Sequence, residues 1–137
     1  MGVILDSSVL VAAERQDHNA REVLTAVSSH LGNIEIGLSA ITLLELAHGA
    51  ARANTTERKA KREQFIDELI QAVPVYSITA AVALSAGRID GDNQARGVRL
   101  PLADLLIGVT ALELGFGVAT LNVRHFRLIT GLSIVQF

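Results

Sequence analysis

The chain lacks cysteine and tryptophan altogether, has two prolines, and is 4% aromatic over 137 residues. Without cysteine there are no disulfides, thiolate nucleophiles or zinc–thiolate centres, which suits a reducing compartment. Scarce aromatics, none interleaved with basic residues, leave little to stack nucleic-acid bases on. With prolines only at 74 and 101, there is no proline-rich linker, and no low-complexity segment or internal repeat is present. A dominant charge sign is missing too. Twelve Lys and Arg stand against fourteen Asp and Glu, a formal net charge of −2, so bulk charge makes no case for a polyanionic partner. The longest apolar run, around Leu100–Leu114, contains Asp104 and Glu113 and is too short and charged to span a bilayer. The opening MGVILDSSVLVAAER has no basic leader, and Asp6 interrupts its apolar stretch. A cytoplasmic protein with no membrane association is expected.

What the chain does have is apolar residues, at 50%. That supports one domain spanning residues 1–137 with a substantial core. It is also more than a domain of this size can fully bury, which points to a covering partner or a second copy. Val3–Leu5 reads as a strand and Ser7–Arg15 as a helix. Asn19–Leu31 follows as a helix closed by Gly32, then Glu35–Leu38 as a strand with Ser39 as the cap of the next helix, Ile41–Arg52. In that helix Leu43, Leu46, Ala47 and Ala50 are expected on the core face. Thr55 or Thr56 caps a helix to about Ala72, with Phe65, Ile66, Leu69 and Ile70 at helical spacing. Val75–Ile78 is a strand, a helix runs from Thr79 toward Gln94, and Pro101–Leu114 is a helix apolar nearly all round, stopped by Gly115. Val118–Leu121 and Ser133–Phe137 are the last strands. Short apolar strands alternating with helices predict an α/β, three-layer fold with a central, mostly parallel sheet.

In such folds, ligands gather beyond the carboxyl ends of the strands, and three acids sit where that matters. Asp6 directly follows the first strand; as structure it is a helix N-cap, though Ser7 or Ser8 can fill that role. Glu45 lies in Ile41-Thr42-Leu43-Leu44-Glu45-Leu46, either on a surface face paired to His48 or facing a cleft at the core margin. Asp104 opens the most hydrophobic helix. The helix dipole explains an acid in the first turn, but not one flanked so heavily by apolar residues. Three such carboxylates would repel one another unless a cation neutralised them. Hard oxygen ligands suit Mg²⁺ or Mn²⁺ and phosphodiester hydrolysis.

These stretches resemble a known family. Asp6-Ser7-Ser8 after the first strand, Glu45 in its segment, and Leu102-Ala103-Asp104-Leu105-Leu106-Ile107 are similar to the three acidic motifs of PIN-domain nucleases. Thr120-Leu121-Asn122-Val123-Arg124-His125-Phe126 with Gly131-Leu132 is similar to the fourth. The resemblance covers essentially the whole chain and is closest to VapC-type toxins of prokaryotic toxin–antitoxin pairs. It implies a Mg²⁺- or Mn²⁺-dependent endoribonuclease, with RNA as substrate and a cognate antitoxin protein as partner; the apolar surplus adds the expectation of a homodimer. The resemblance also implies Asp6, Glu45 and Asp104 as catalytic metal ligands, with Ser7 (or Ser8) and Asn122 in support. Asn122 stands where the wider family is often acidic, so the fourth position adds no charge here.

Other features carry less. Glu45-x-x-His48 has di-iron spacing but lacks the second such pair that a di-iron site needs. Arg58, Lys59, Lys61 and Arg62 read as a solvated helix face with pairs such as Glu57–Lys61. Arg88, Arg96, Arg99, Arg124 and Arg127 bracket Asp104 and the Asn122 turn and are candidate phosphate contacts. The competing functions are a non-catalytic PIN-like module that docks on RNA or protein, and an aspartyl-phosphate receiver or phosphoryl-transfer enzyme. The latter wants a phosphate-cradling loop or paired acids after the first strand, which are lacking.

Overall fold

The computed structural model describes residues 1–137. Its elements are β1 (Gly2–Leu5), α1 (Ser7–Arg15), α2 (Ala20–Leu31), β2 (Glu35–Ser39), α3 (Ala40–Ala51), α4 (Thr56–Ala72) and β3 (Val75–Tyr76). They continue as α5 (Ala80–Ala95), α6 (Leu102–Leu114), β4 (Gly117–Thr120), α7 (Val123–Phe126) and β5 (Ile134–Gln136). The helix starts follow from local chemistry. Asn19 and Glu22 form a reciprocal capping box at α2, and the side chains of Ser39, Thr55 and Thr79 accept backbone amides at α3, α4 and α5. Gly115 ends α6 in the left-handed conformation that an L side chain resists.

The five strands form one sheet in the order β3-β2-β1-β4-β5, every pairing parallel. β1 and β4 are buried along their whole length, as strands covered on both faces must be. Val3 and Leu5 join one core with Leu10, Val27, Leu46, Phe65 and Leu69 of α1–α4. Ile4, pointing the other way, joins a second core with Leu105, Ile107, Val109 and Phe126 of α6 and α7. Helices therefore cover both faces of the sheet, as the three-layer expectation required. The chain leaves β1 toward β2 and β3, then returns to the other side of β1 for β4 and β5. That reversal makes the carboxyl ends of β1 and β4 the topological switch point, where open α/β sheets leave a crevice.

Four local expectations need correcting. β3 is two residues long rather than four, because only Val75 and Tyr76 find partners on β2. Residues 123–126 form a short helix that their sequence does not announce. Ala47 is exposed, not in the core, and so is Ile70; α3 and α4 pack against each other and the sheet through narrower stripes than the apolar pattern suggests. Two of the α4 cations pair away from their own helix: Lys61 with Asp17 in the α1–α2 turn, and Arg62 with Glu14 of α1 at 3.0 Å.

Candidate active site

Asp6 is the residue after β1, and its amide donates to the carbonyl of Ala119 on β4 (2.9 Å), which pins it at the switch point. It is 3% exposed. Its side chain makes no cap bond to α1, so the structural explanation for an acid here does not hold. Instead Oδ2 accepts from Ser8 Oγ at 2.7 Å and from Thr120 Oγ1 at 2.8 Å. Oδ1 is buried with no protein partner. A buried carboxylate oxygen without a donor is costly unless something positive meets it.

Glu45 reaches the same place from α3, whose Thr42, Leu46 and Ala50 are buried. Its Oε1 is likewise buried and unpartnered. Burial raises the Glu45 carboxyl above its ordinary value. The Ser7 hydroxyl beside it works the other way, and the charges on Asp6 and Asp104 raise it further. No ion pair joins Glu45 to His48.

Asp104 comes from the first turn of α6. Burial is again the largest cause raising its carboxyl, a hydrogen bond from His125 lowers it, and the charge on Asp6 raises it. His125 Nδ1 lies 2.6 Å from Asp104 Oδ2, so α7 supplies a histidine that orients the acid. The Asn122 amide sits 3.1 Å from that same ring nitrogen, while the Asn122 backbone N–H donates to Thr120 Oγ1 at 2.8 Å. Asn122 thus touches the histidine and threonine that hold the acids.

The sheet and two helices therefore bring the three expected acids within electrostatic reach of one another. No three Asp, Glu or His side chains stand close enough together to enclose a cation by themselves; the three carboxyls feel one another's charge without clasping a point. Mg²⁺ usually keeps several waters and takes only one or two carboxylates directly. The hard oxygen donors, the two orphaned oxygens and the mutual repulsion fit such a cation.

Sequence reasoning passed over three side chains here. Thr120 and His125 lie within the quoted fourth motif without being given a task. Ser8, offered only as the alternative to Ser7, is the hydroxyl bonded to Asp6, while Ser7 faces Glu45. The candidate arginines are all exposed. Arg124 neighbours His125 on α7, and Arg96 and Arg99 lie in the loop leading into α6, with Arg96 held to Asn93 at 2.7 Å. Arg88 stands farther back, on α5.

Residues 3–131 match the family described as PIN domain. The chain belongs to the PIN-domain family. Among curated relatives of this PIN domain, it is 31% identical to "Ribonuclease VapC1" of Rickettsia felis over 98% of this chain and 96% of that one. Two crystal structures share its fold. VapBC-1 from nontypeable Haemophilus influenzae is 25% identical with a TM-score of 0.82, covering 99% of this chain and 98% of that one. VapBC2 from Rickettsia felis, bound to a DNA fragment from its promoter, is 20% identical with a TM-score of 0.85, covering 100% and 99%.

Proposed function

We propose that this PIN domain is a metal-dependent endoribonuclease, the toxin of a VapBC-type toxin–antitoxin pair, with Asp6, Glu45 and Asp104 as its catalytic carboxylates. The observation that carries the reading is the pair of buried, unpartnered oxygens, Asp6 Oδ1 and Glu45 Oε1, at a switch point where Asp104 also feels the charge of Asp6. A non-catalytic binding module would have no use for such a destabilising arrangement. The relative named as a ribonuclease and the likeness to VapBC assemblies support the same function and an antitoxin partner. No helix is long and apolar enough to cross a membrane.

The residues divide the work. Asp6, Glu45 and Asp104 would hold Mg²⁺ or Mn²⁺. When bound, that ion supplies charge neutralisation and the polarisation of a phosphate oxygen and of water. Ser8 and Thr120 fix Asp6 through Oδ2 and leave its buried Oδ1 free of protein donors. His125 fixes Asp104, and the Asn122 backbone N–H fixes Thr120. Exposed Arg96, Arg99 and Arg124 at the rim, with Arg88 behind them, meet the phosphates of the incoming strand.

The test is cleavage of single-stranded RNA by the purified protein in Mg²⁺ or Mn²⁺. Asp104→Asn and Glu45→Gln should each lower the rate by about a hundredfold or more, the scale expected when a positioned acid–base group is removed. Undiminished cleavage in both variants, or none in the parent, overturns the reading.

A further inference from the structure

A charged groove lies beside Glu45, between α1 and α4. A cavity of about 170 Å³ opens beside Glu45 and is lined also by Gly49, Arg62, Glu14 and Arg15. Glu14, Arg15 and Arg62 also line a second cavity of about 350 Å³, which continues to Arg58, Lys61 and Asp17 and has no apolar residue in its wall. The two cavities make one groove running from the active-site glutamate along α1 and α4.

Its charge runs against that of the molecule. Four cations and two acids line the outer part, on a chain whose formal net charge is −2. Glu14 and Asp17 are already engaged, by Arg62 and Lys61. Arg15 and Arg58 are in no ion pair, and the Arg58 guanidinium bonds only the neutral Asn54. Arg58 is the third residue of α4, where a cation opposes the helix dipole; helix stability does not account for it. Arg62 also donates to the Gly49 carbonyl at 2.9 Å and so forms the fixed wall of the passage. Gly49 borders open space at the junction, since a Cβ there would meet no atom within 4 Å.

We propose that this groove is a phosphate track for the single-stranded RNA leaving the active site, with Arg15 and Arg58 as its free phosphate contacts. The inference rests on the ribonuclease reading above. It also revises the expectation that the α4 cations are merely a solvated face. A cationic, non-aromatic groove holds a strand by its backbone, without reading bases, so its contribution is independent of sequence and sensitive to salt.

The experiment compares Arg15→Gln/Arg58→Gln with the charge-matched control Arg21→Gln/Lys59→Gln, whose residues lie outside the groove. Cleavage of a single-stranded RNA oligonucleotide is followed at several salt concentrations. The groove variant should raise KM about tenfold for every sequence. It should also flatten the dependence of log KM on log salt by about 1.4, the value for two phosphate contacts on a single strand. The control should do neither. Gly49→Leu, which improves helix propensity while plugging the junction, should raise KM without changing the salt slope. Equal behaviour of the groove variant and its control, in a parent that cleaves RNA, overturns the track and leaves the nuclease standing. A parent that neither binds nor cleaves RNA overturns both. If the groove variant instead loses only binding to poly-glutamate, the groove serves an acidic protein segment and the proposal is wrong.

Discussion

At the scale of single residues, the site is a conflict between like charges held in place by hydroxyls and one histidine. Thr120 is the clearest case, because its Oγ1 donates to Asp6 Oδ2 and accepts from the amide of Asn122. Thr120→Val keeps the shape but leaves that amide and part of the carboxylate unsatisfied. It should cost about 1–3 kcal/mol, read as a lower urea midpoint with unchanged slope, and cleavage should fall with it. Glu45 makes a second prediction. Its carboxyl is raised by burial and by Asp6 and Asp104, so between its unfolded and folded values the folded chain binds more protons than the unfolded chain. That group's contribution to stability therefore grows as pH falls through the raised value and is lost as pH rises again. In chelator, Glu45→Gln should melt above wild type at neutral pH, and the gap should close toward the ordinary carboxylate range. A gap that does not move with pH means that the Glu45 carboxyl is not raised in the folded chain. The acids themselves were legible in the sequence as charges in apolar surroundings. Thr120 and His125 were not, because a threonine ending a strand and a histidine in a loop look ordinary until the fold sets acids from β1 and α6 beside them.

At the scale of elements, α6 positions Asp104 and presses against the segment that carries His125. Gly108 is the point of closest approach. A Cβ there would collide with Ile129 and come within 3.2 Å of Leu132 and 3.3 Å of Phe126. Gly108→Ala should destabilise by about 1–3 kcal/mol through overpacking, more than the propensity gain returns. Gly87→Ala in α5, where a Cβ meets nothing, should instead stabilise by about 0.5–1 kcal/mol. Thermal or urea unfolding of the two variants checks the opposite signs; matching signs would refute this account of α6 packing. The helices and their caps were readable because capping and apolar spacing are local. β3 and α7 were misjudged because their extent depends on partners far away in the chain.

At the scale of the whole molecule, part of the surplus of apolar residues foreseen from composition lies exposed on α3. Leu44, Ala47, His48 and Ala51 are all exposed along one stripe of α3, and Leu44 is 63% exposed. The expected homodimer or antitoxin would cover this face. Sedimentation equilibrium should show the isolated chain as a dimer, and Leu44→Lys should shift it to monomer, with a melting temperature that no longer rises with protein concentration. A wild-type monomer at high protein concentration would leave the stripe to the antitoxin alone.

The sequence by itself determined the layered α/β class, nearly every helix start and the three acids, because apolar periodicity, capping and a charge within an apolar run are properties of neighbouring residues. Whether Asp6, Glu45 and Asp104 meet depended on parallel pairing between strands more than a hundred residues apart in the chain, such as Leu5 with Ala119. The same pairing set Thr120 against Asp6. No local pattern encodes a hydrogen bond across that distance, so only the tertiary structure could turn three suspicious acids into one cleft. It also showed that two oxygens there have no partner and that a cationic groove leads away.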